Sequence, residues 1–126
     1  MKSSIIIPTA GRPFAIRAAI RSLFAISPNI HDTELLVVDN NAQEDLVRDV
    51  YGYCASLNGR VRCIRESNPG STAARHRGIK ESRGELLTFI DDDVEVSHGW
   101  LGSQPAKLPT VIPNESRLKQ IKGPIE

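Results

Sequence analysis

The chain has little cysteine, almost no net charge and no long hydrophobic run. Its two cysteines, Cys54 and Cys63, are too few for a disulfide scaffold and lack metal-ligand spacing, so both are expected to be reduced and buried. Sixteen basic residues against fifteen acidic ones leave a formal charge of +1, which gives no support for a nucleic-acid partner. The segment Ile5-Ile6-Ile7 is too short for a signal-peptide core or a transmembrane segment. The expected location is the cytoplasm, with attachment to a membrane surface left open.

The composition is that of one modest soluble domain. The chain has 126 residues, of which 40% are hydrophobic and 25% are charged. Short apolar runs alternate with segments of helical periodicity, beginning with a helix predicted over residues 13–26. This βαβαβαβ pattern predicts an α/β fold, a Rossmann-like parallel sheet flanked by helices. The four predicted strands are centred on Ile5–Ile7, Leu35–Val38, Val61–Ile64 and Leu86–Ile90.

The sequence also predicts the caps of two helices and the character of the chain after Leu101. Asn41, with Glu44 three residues later, predicts a capping box at the second helix. Ser71 or Thr72 is expected to cap the third helix. After Leu101 several prolines interrupt the chain and no strand pattern follows. The predicted division is therefore a folded part over residues 1–101 and a divergent, poorly ordered tail over residues 102–126.

The fourth strand runs directly into three consecutive acidic residues, Asp91, Asp92 and Asp93. The carboxyl ends of parallel strands open onto the crevice where such sheets bind ligands. Three carboxylates there repel one another unless a positive group lies among them, and carboxylate oxygens suit Mg²⁺ or Mn²⁺. A divalent ion on a nucleotide diphosphate would meet that need. The alternative is a solvated acidic turn without a ligand.

Each of the other predicted strands also ends in polar residues. Because the carboxyl ends of parallel strands lie side by side, these groups are expected to form one nucleotide pocket. Two familiar nucleotide motifs are absent: no Gly-x-Gly-x-x-Gly follows the first strand, and the segment Gly70–His76 lacks the Gly-Lys pair of a phosphate loop. The strand-end residues are Pro8, Thr9 and Arg12; Asp39 and Asn40; Asn68, Gly70 and Arg75; and the three aspartates.

Several short motifs in this order resemble glycosyltransferase family 2. They are Ile5-Ile6-Ile7-Pro8-Thr9, Leu36-Val37-Val38-Asp39, Asn68-Pro69-Gly70, Ala73-Ala74-Arg75-His76-Arg77-Gly78, Arg83-Gly84-Glu85 and Phe89-Ile90-Asp91-Asp92-Asp93. The resemblance runs from about Ser3 to Leu101 and implies the amino-terminal, donor-binding half of an A-type glycosyltransferase fold, here truncated. It also implies metal dependence through an Asp-x-Asp motif.

The resemblance implies roles for particular residues. Asp39 would accept a hydrogen bond from the base, usually uracil, and Arg75 would face the base or the diphosphate. Asp39 as a cap of the following helix, and Arg75 in a surface salt bridge, are the structural alternatives. The expected donor-binding residues are Pro8, Thr9, Arg12, Asp39, Asn68, Gly70, Arg75, Asp91 and Asp92, and the expected ligands of Mn²⁺ or Mg²⁺ are Asp91 and Asp93.

The sequence departs from the family pattern in three places. The second strand ends Asp39-Asn40-Asn41 where the family often has two acids and a glycine, and His76 stands where asparagine is common. Nothing after Leu101 resembles the acceptor-binding half, which also supplies the catalytic base. Neither Glu115 nor Glu126 has the context of that base, so the base is expected beyond the end of this chain.

The function implied is transfer of a sugar from a nucleotide-diphosphate sugar, with UDP as the expected nucleotide, to an acceptor hydroxyl with inversion. The acceptor would be a polysaccharide, a lipid or a protein glycan, as in polysaccharide biosynthesis. Two alternatives stay open: a non-catalytic nucleotide-binding fragment, and a nucleotidyltransferase-like enzyme, for which only Gly11 and Arg12 offer a hint of a phosphate loop.

Overall fold

The computed structural model describes residues 3–26, 32–92 and 110–114 of the chain. Strands and helices alternate through most of it, as the apolar periodicity predicts. No helix within these ranges has the length and apolar character needed to cross a bilayer. In chain order the elements are β1 (Ser3–Thr9), α1 (Pro13–Ile26), β2 (Thr33–Asp39), α2 (Glu44–Ala55), β3 (Val61–Arg65), α3 (Ser71–Glu81), β4 (Leu86–Phe89) and β5 (Thr110–Pro113).

The strands form one five-stranded sheet in the order β3-β2-β1-β4-β5. The first four are parallel, with Ile5 of β1 paired to Leu35 on one side and to Thr88 on the other. Strand β5 runs antiparallel to β4, so the sheet is mixed rather than wholly parallel. The predicted α/β architecture is confirmed, with an antiparallel strand at the β4 side.

Alternate residues of β1 pack into two separate apolar layers. Ile5 and Ile7 join a cluster that includes Ile16 and Ile20 of α1 and Val50 of α2. On the opposite face, a second cluster is built from this set of buried side chains: Ile6, Leu36, Val38, Ala74, Leu87 and Phe89. Both faces of the sheet are therefore covered, which explains why β1 and β2 read as continuous apolar runs.

Helix α3 packs closely against the sheet because of one glycine. A Cβ atom added at Gly78 would lie 2.5 Å from Cγ2 of Ile6, a side chain with no exposed surface. A Cβ added at Gly84 would overlap the backbone of Ser3 and Ser4. At both positions only glycine allows the chain to approach β1 this closely.

A polar network surrounds Glu34 near the amino-terminal ends of the strands. Its Oε2 accepts hydrogen bonds from the Ser4 hydroxyl and the Arg83 amide, both at 2.5 Å, and its Oε1 pairs with Nη1 of Arg62 at 2.7 Å. Burial by itself would raise the pKa of Glu34, but these three donors together lower the pKa below its ordinary value of 4.5. The buried carboxylate is thus held in its charged form.

The two predicted side-chain caps are wrong. Helix α2 begins at Glu44 after Gln43, and helix α3 begins at Ser71 after Gly70; neither preceding residue makes a side-chain capping hydrogen bond. Asn41 does not cap α2, because its side chain bonds to the strand-end loops instead.

The expectation that no strand follows Leu101 is also wrong for residues 110–113. These residues pair with β4, with Thr110 opposite Phe89 and Pro113 opposite Leu86. Proline is tolerated here because β5 is an outer strand of the described sheet. The backbone amide of Asn114 then donates to the carbonyl oxygen of Glu85 at 2.7 Å. The division of the chain at residue 101 stays a prediction.

We expect Gly78→Ala to destabilise the protein by about 1–3 kcal/mol, because the new methyl group would force Ile6 out of its place in a packed core. Gly52→Ala is the matched control. Gly52 is also helical, but nothing lies within 4 Å of a Cβ there, so the gain in helix propensity should stabilise by up to about 1 kcal/mol. Urea denaturation of both variants measures the difference. Equal unfolding midpoints for the two would contradict the close contact between α3 and β1.

Glu34→Gln should lower the free energy of unfolding at pH 7 by about 1–3 kcal/mol, since it leaves buried donors without a charged acceptor. The pKa of Glu34 is lower in the folded state, so its contribution is present above about pH 4.5 and is lost as the pH falls through the folded-state value. Urea denaturation at pH 7 and below pH 4 should show the variant and the parent converging in acid. Glu44→Gln, at an exposed ion pair with Arg65, is the control and should change stability by less than about 0.5 kcal/mol.

Candidate functional site

The strand order places a topological switch point between β1 and β4. The chain passes from β1 to β2 and β3 on one side, and β4 then pairs with the opposite side of β1. In open α/β sheets the ligand crevice lies at the carboxyl ends of the strands at such a point. A cleft of about 990 Å³ opens there. Its described lining is Pro8, Thr9, Ala10, Gly11, Arg12, Asn40, Asn41, Ala42, Gln43, Leu46, Pro69, Gly70, Ser71, Ala74, Arg75, Asp91 and Asp92.

Asp92 bridges the switch point. The Thr9 hydroxyl, at the end of β1, donates to Oδ2 of Asp92 at 2.9 Å, and Nη1 of Arg12 lies 3.2 Å from Oδ1. Asp92 and Thr9 are both buried, whereas the Arg12 side chain is about half exposed. The middle acid of the run is therefore engaged by protein groups and ties the acidic turn to the end of β1.

Asp91 is exposed and lies in the cleft surface, whereas Asp93 falls outside the described residues. Within the described ranges no three histidine, cysteine or acidic side chains cluster closely enough to form a metal site. Asp91 and Asp92 are the two described carboxylates of the run. Asp91 lies at the cleft and, unlike Asp92, has no hydrogen bond to Thr9 or Arg12.

Asp39 lies beneath the cleft wall and is almost fully buried. Its Oδ1 accepts hydrogen bonds from the backbone amide and the side-chain amide of Asn41, at 3.0 and 2.8 Å. Its Oδ2 has no hydrogen-bond partner among the described residues, which is costly for a buried carboxylate oxygen. The alternative role as a helix cap is wrong, because α2 starts five residues later and is not bonded by this side chain.

Asn40 and Asn41 both line the cleft. The sequence placed Asn40 at the pocket edge without a contact and predicted Asn41 only as a helix cap. Nδ2 of Asn40 donates to the carbonyl oxygens of Glu66 and Asn68. Oδ1 of Asn41 accepts from the amide of Gly11. Two consecutive asparagines at a strand end are the signal that could have found them, because their amides can replace missing backbone partners in neighbouring loops.

Arg75 projects from the first turns of α3 into the cleft lining. Its guanidinium carbon lies 5.4 Å from the centroid of the Phe89 ring, a cation–π contact. This places the cation near the end of β4 and the acidic turn that follows. The structure therefore supports a position for Arg75 at the cleft rather than in a salt bridge elsewhere on the surface.

The structure brings most of the predicted donor-binding residues together. Gly70 reaches the cleft with a φ of +110°, a backbone conformation that only glycine adopts readily. Asn68 is exposed and is not part of the cleft lining; its carbonyl oxygen accepts a hydrogen bond from Asn40. The predicted residues that line the cleft are Pro8, Thr9, Arg12, Gly70, Arg75, Asp91 and Asp92, whereas Asp39 and Asn68 do not.

The two cysteines lie in the apolar layer near Asp39 and are free thiols. Cys54 is buried and Cys63 is half-buried, so the expected burial is confirmed for the first and partly for the second, and the reduced state stays a prediction. A hydrogen bond with Cys54, burial and the negative charge of Asp39 all raise the pKa of Cys63. That thiol therefore stays protonated at neutral pH.

Comparison with known proteins identifies the family. The sequence profile described as "Glycosyl transferase family 2" matches residues 4–108. A GalNAc(5)-diNAcBac-PP-undecaprenol beta-1,3-glucosyltransferase of Campylobacter jejuni is 29% identical over 104 residues, which are 81% of this chain and 33% of that protein. The chain spans a third or less of the length of the first curated relatives that it matches.

Solved structures show the same fold. Staphylococcus aureus TarS 1-349 in complex with UDP-GlcNAc superposes with a TM-score of 0.63 at 24% identity, covering 80% of this chain and 29% of that one. The mannosyltransferase PcManGT of Pyrobaculum calidifontis, in complex with GDP-Man and Mn²⁺, gives 0.69 at 16% identity, covering 82% of this chain and 33% of that one. The predicted A-type glycosyltransferase fold is confirmed, and with the profile match over residues 4–108 the chain belongs to glycosyltransferase family 2.

Proposed function

We propose that this chain forms the donor-binding part of a metal-dependent, inverting glycosyltransferase that uses a nucleotide-diphosphate sugar, with UDP as the nucleotide. One observation carries the proposal. Polar residues that follow four separate strands meet at one cleft, which lies at the switch point between β1 and β4. Its volume, about 990 Å³, is enough for a ligand of nucleotide-sugar size.

The charges around the cleft suit a nucleotide diphosphate. Arg12 and Arg75 bring two cations to the lining, and the amino-terminal end of α3 opens beside them without a side-chain cap. Backbone amides at a helix start favour an anion. Arg12 already pairs with Asp92, so in our proposal it lies beside the nucleotide while Arg75 faces the base or the diphosphate.

Asp39 is the proposed acceptor for an N–H group of the base. Its support is the unpartnered Oδ2, since an acceptor that the described residues leave empty can be satisfied by a ligand. Asp39 is buried beneath Asn41 rather than in the cleft surface, so this contact requires that layer to shift when the nucleotide binds. A carboxylate there would favour uracil, whose ring N–H donates, over cytosine, whose ring nitrogen at the same place accepts.

Mn²⁺ or Mg²⁺ is the proposed cofactor, and carboxylate oxygens are the donor set that these ions prefer. Asp91 fits this role because it is exposed in the cleft and is not held by Thr9 or Arg12, as Asp92 is. Asp93, outside the described residues, would be the second ligand. When bound, the metal would supply Lewis-acid stabilisation for the departing nucleoside diphosphate.

The proposed reaction is a single displacement at the anomeric carbon. The acceptor hydroxyl attacks that carbon, its proton passes to a general base, and the nucleoside diphosphate leaves from the opposite face with inversion. In this proposal the described residues of the cleft hold the donor, and none of them is assigned as the base. The acceptor (a polysaccharide, a lipid or a protein glycan) and the cytoplasmic location stay predictions.

A second candidate function is nucleotide binding without transfer. It needs only the donor-binding residues that line the described cleft. Both candidates share the same donor cleft. Turnover of a UDP-sugar by this chain would separate them.

The first measurement is thermal unfolding of the chain with UDP, with and without Mn²⁺. A ligand that binds only the folded state at 100 times its Kd should stabilise by about 2.7 kcal/mol, so the midpoint should rise when both are present. Asp93→Ala and Asp91→Asn should each remove the Mn²⁺-dependent part of the rise. Glu85→Gln, at the opposite end of β4, is the control and should keep it.

A cooperative transition that responds to neither ligand would refute the nucleotide site. An unchanged Mn²⁺ dependence in Asp93→Ala would remove Asp93 from the metal site, and the same result in Asp91→Asn would remove Asp91.

Asp39→Asn tests the base contact. The variant places an amide where the parent has a carboxylate oxygen, so UDP should bind more weakly by about 1–3 kcal/mol while CDP should lose less or gain. Isothermal titration with both nucleotides in the presence of Mn²⁺ measures the change in their ratio. An equal loss for UDP and CDP would mean that Asp39 only supports Asn41 and does not contact the base.

A further inference from the structure

The side chain of Asn40 makes three hydrogen bonds to a single neighbouring segment. Its Nδ2 donates to the carbonyl oxygen of Glu66 at 2.8 Å and to that of Asn68 at 2.7 Å. Its Oδ1 accepts from the backbone amide of Gly70 at 3.1 Å. All three partners are backbone atoms of residues 66–70, the segment that connects β3 to α3.

This segment has few partners in regular secondary structure. The amide of Glu66 still bonds to the carbonyl oxygen of Asp39 at 2.9 Å, but β2 ends there and the pairing of β2 with β3 ends with it. The amide of Asn68 is taken by Oε2 of Glu66. The primary amide of Asn40 therefore continues the bonding beyond the last strand residue, acting in place of a peptide group.

The segment held by Asn40 forms one side of the cleft, which we call the Gly70 wall and define as Pro69, Gly70 and Ser71. Another part of the lining, Pro8 to Arg12, consists of the end of β1 and the loop after it, and there the amide of Gly11 donates to Oδ1 of Asn41. Adjacent asparagines at the end of β2 thus hold two different loops of the cleft. A side chain with two N–H donors and one acceptor is needed at residue 40.

We infer that Asn40 is a positioning residue for the nucleotide-sugar donor, and that it acts by holding the Gly70 wall in place. The inference rests on the proposed function, because it assigns this wall to the donor site. It follows from the geometry that Asn40 does not act on the reacting atoms: both of its N–H donors are used on Glu66 and Asn68. Its effect on the donor passes through the backbone of Gly70.

The test compares Asn40→Asp and Asn40→Ala with the parent chain in UDP binding and in amide hydrogen exchange. Aspartate keeps the shape but has no N–H donors and places a negative charge against two carbonyl oxygens, so affinity for UDP with Mn²⁺ should fall about tenfold or more. In Asn40→Ala the amide of Gly70 should lose its protection from exchange. Asn58→Asp, the same substitution at an exposed turn residue, should keep UDP affinity within about twofold of the parent.

A second control separates positioning from stability. Glu34→Gln should lower stability at the amino-terminal ends of the strands, away from the wall, so its UDP affinity, measured where it is fully folded, should match the parent. If Glu34→Gln weakens UDP binding as much as Asn40→Asp does, or if both Asn40 variants bind UDP like the parent, the inference is wrong.

The two proposals can fail separately. If the parent chain binds no UDP, the proposed function fails, and exchange at Gly70 then decides by itself whether Asn40 holds the wall. If the parent binds UDP but Gly70 exchanges equally in parent and Asn40→Ala, the proposed function stands and the role of Asn40 is refuted.

Discussion

The structure depends on the position of β1, which is hydrogen-bonded on both edges and packed on both faces. It pairs with β2 along its whole length and with β4 from Ser3 to Ile6, while its isoleucines alternate between two apolar layers. This arrangement requires close approach from α3 at Gly78 and from the β4 side at Gly84. Because the chain leaves β1 in one direction and returns on its other side, the same strand creates the crevice in which the polar residues meet.

The two described aspartates after β4 have different surroundings. Asp92 turns inward, where Thr9 and Arg12 satisfy it, and so joins the ends of β4 and β1. Asp91 remains in the cleft surface. Like charges on successive residues are tolerable here because one of them is paired within the protein, which reduces the repulsion between them.

Much of the fold was predictable because buried parallel strands and amphipathic helices leave strong local patterns. The apolar runs predicted the first four strands, and the position of Pro13 predicted the start of α1. Strand β5 was missed because it has only four residues and ends in a proline, so pairing with β4 rather than local preference decides its conformation. The mixed direction of the sheet follows from that strand and was equally hidden.

The site was predictable at the level of strand ends but not of hydrogen bonds. The sequence indicates that Thr9 and Asp92 each lie at the carboxyl end of a strand. Their contact depends on the strand order, which places β4 next to β1. The predicted capping box at Asn41 is absent because the Asn41 side chain already bonds to Asp39 and Gly11, and neither of these residues belongs to helix α2. Asn40 was placed at the pocket edge, but its hydrogen bonds were not predictable because its partners are backbone atoms 26 to 30 residues away, which no local pattern records.

The outer strand β3 also bears on how copies of this chain behave in concentrated solution. Arg62 forms ion pairs with Glu34 and Glu81, and Arg65 lies 3.8 Å from Glu44. These charged, partly exposed side chains line the strand that is outermost on this side of the described sheet. A strand adding to this edge would have to dehydrate those charges, which disfavours the edge-to-edge pairing to which open sheets are prone.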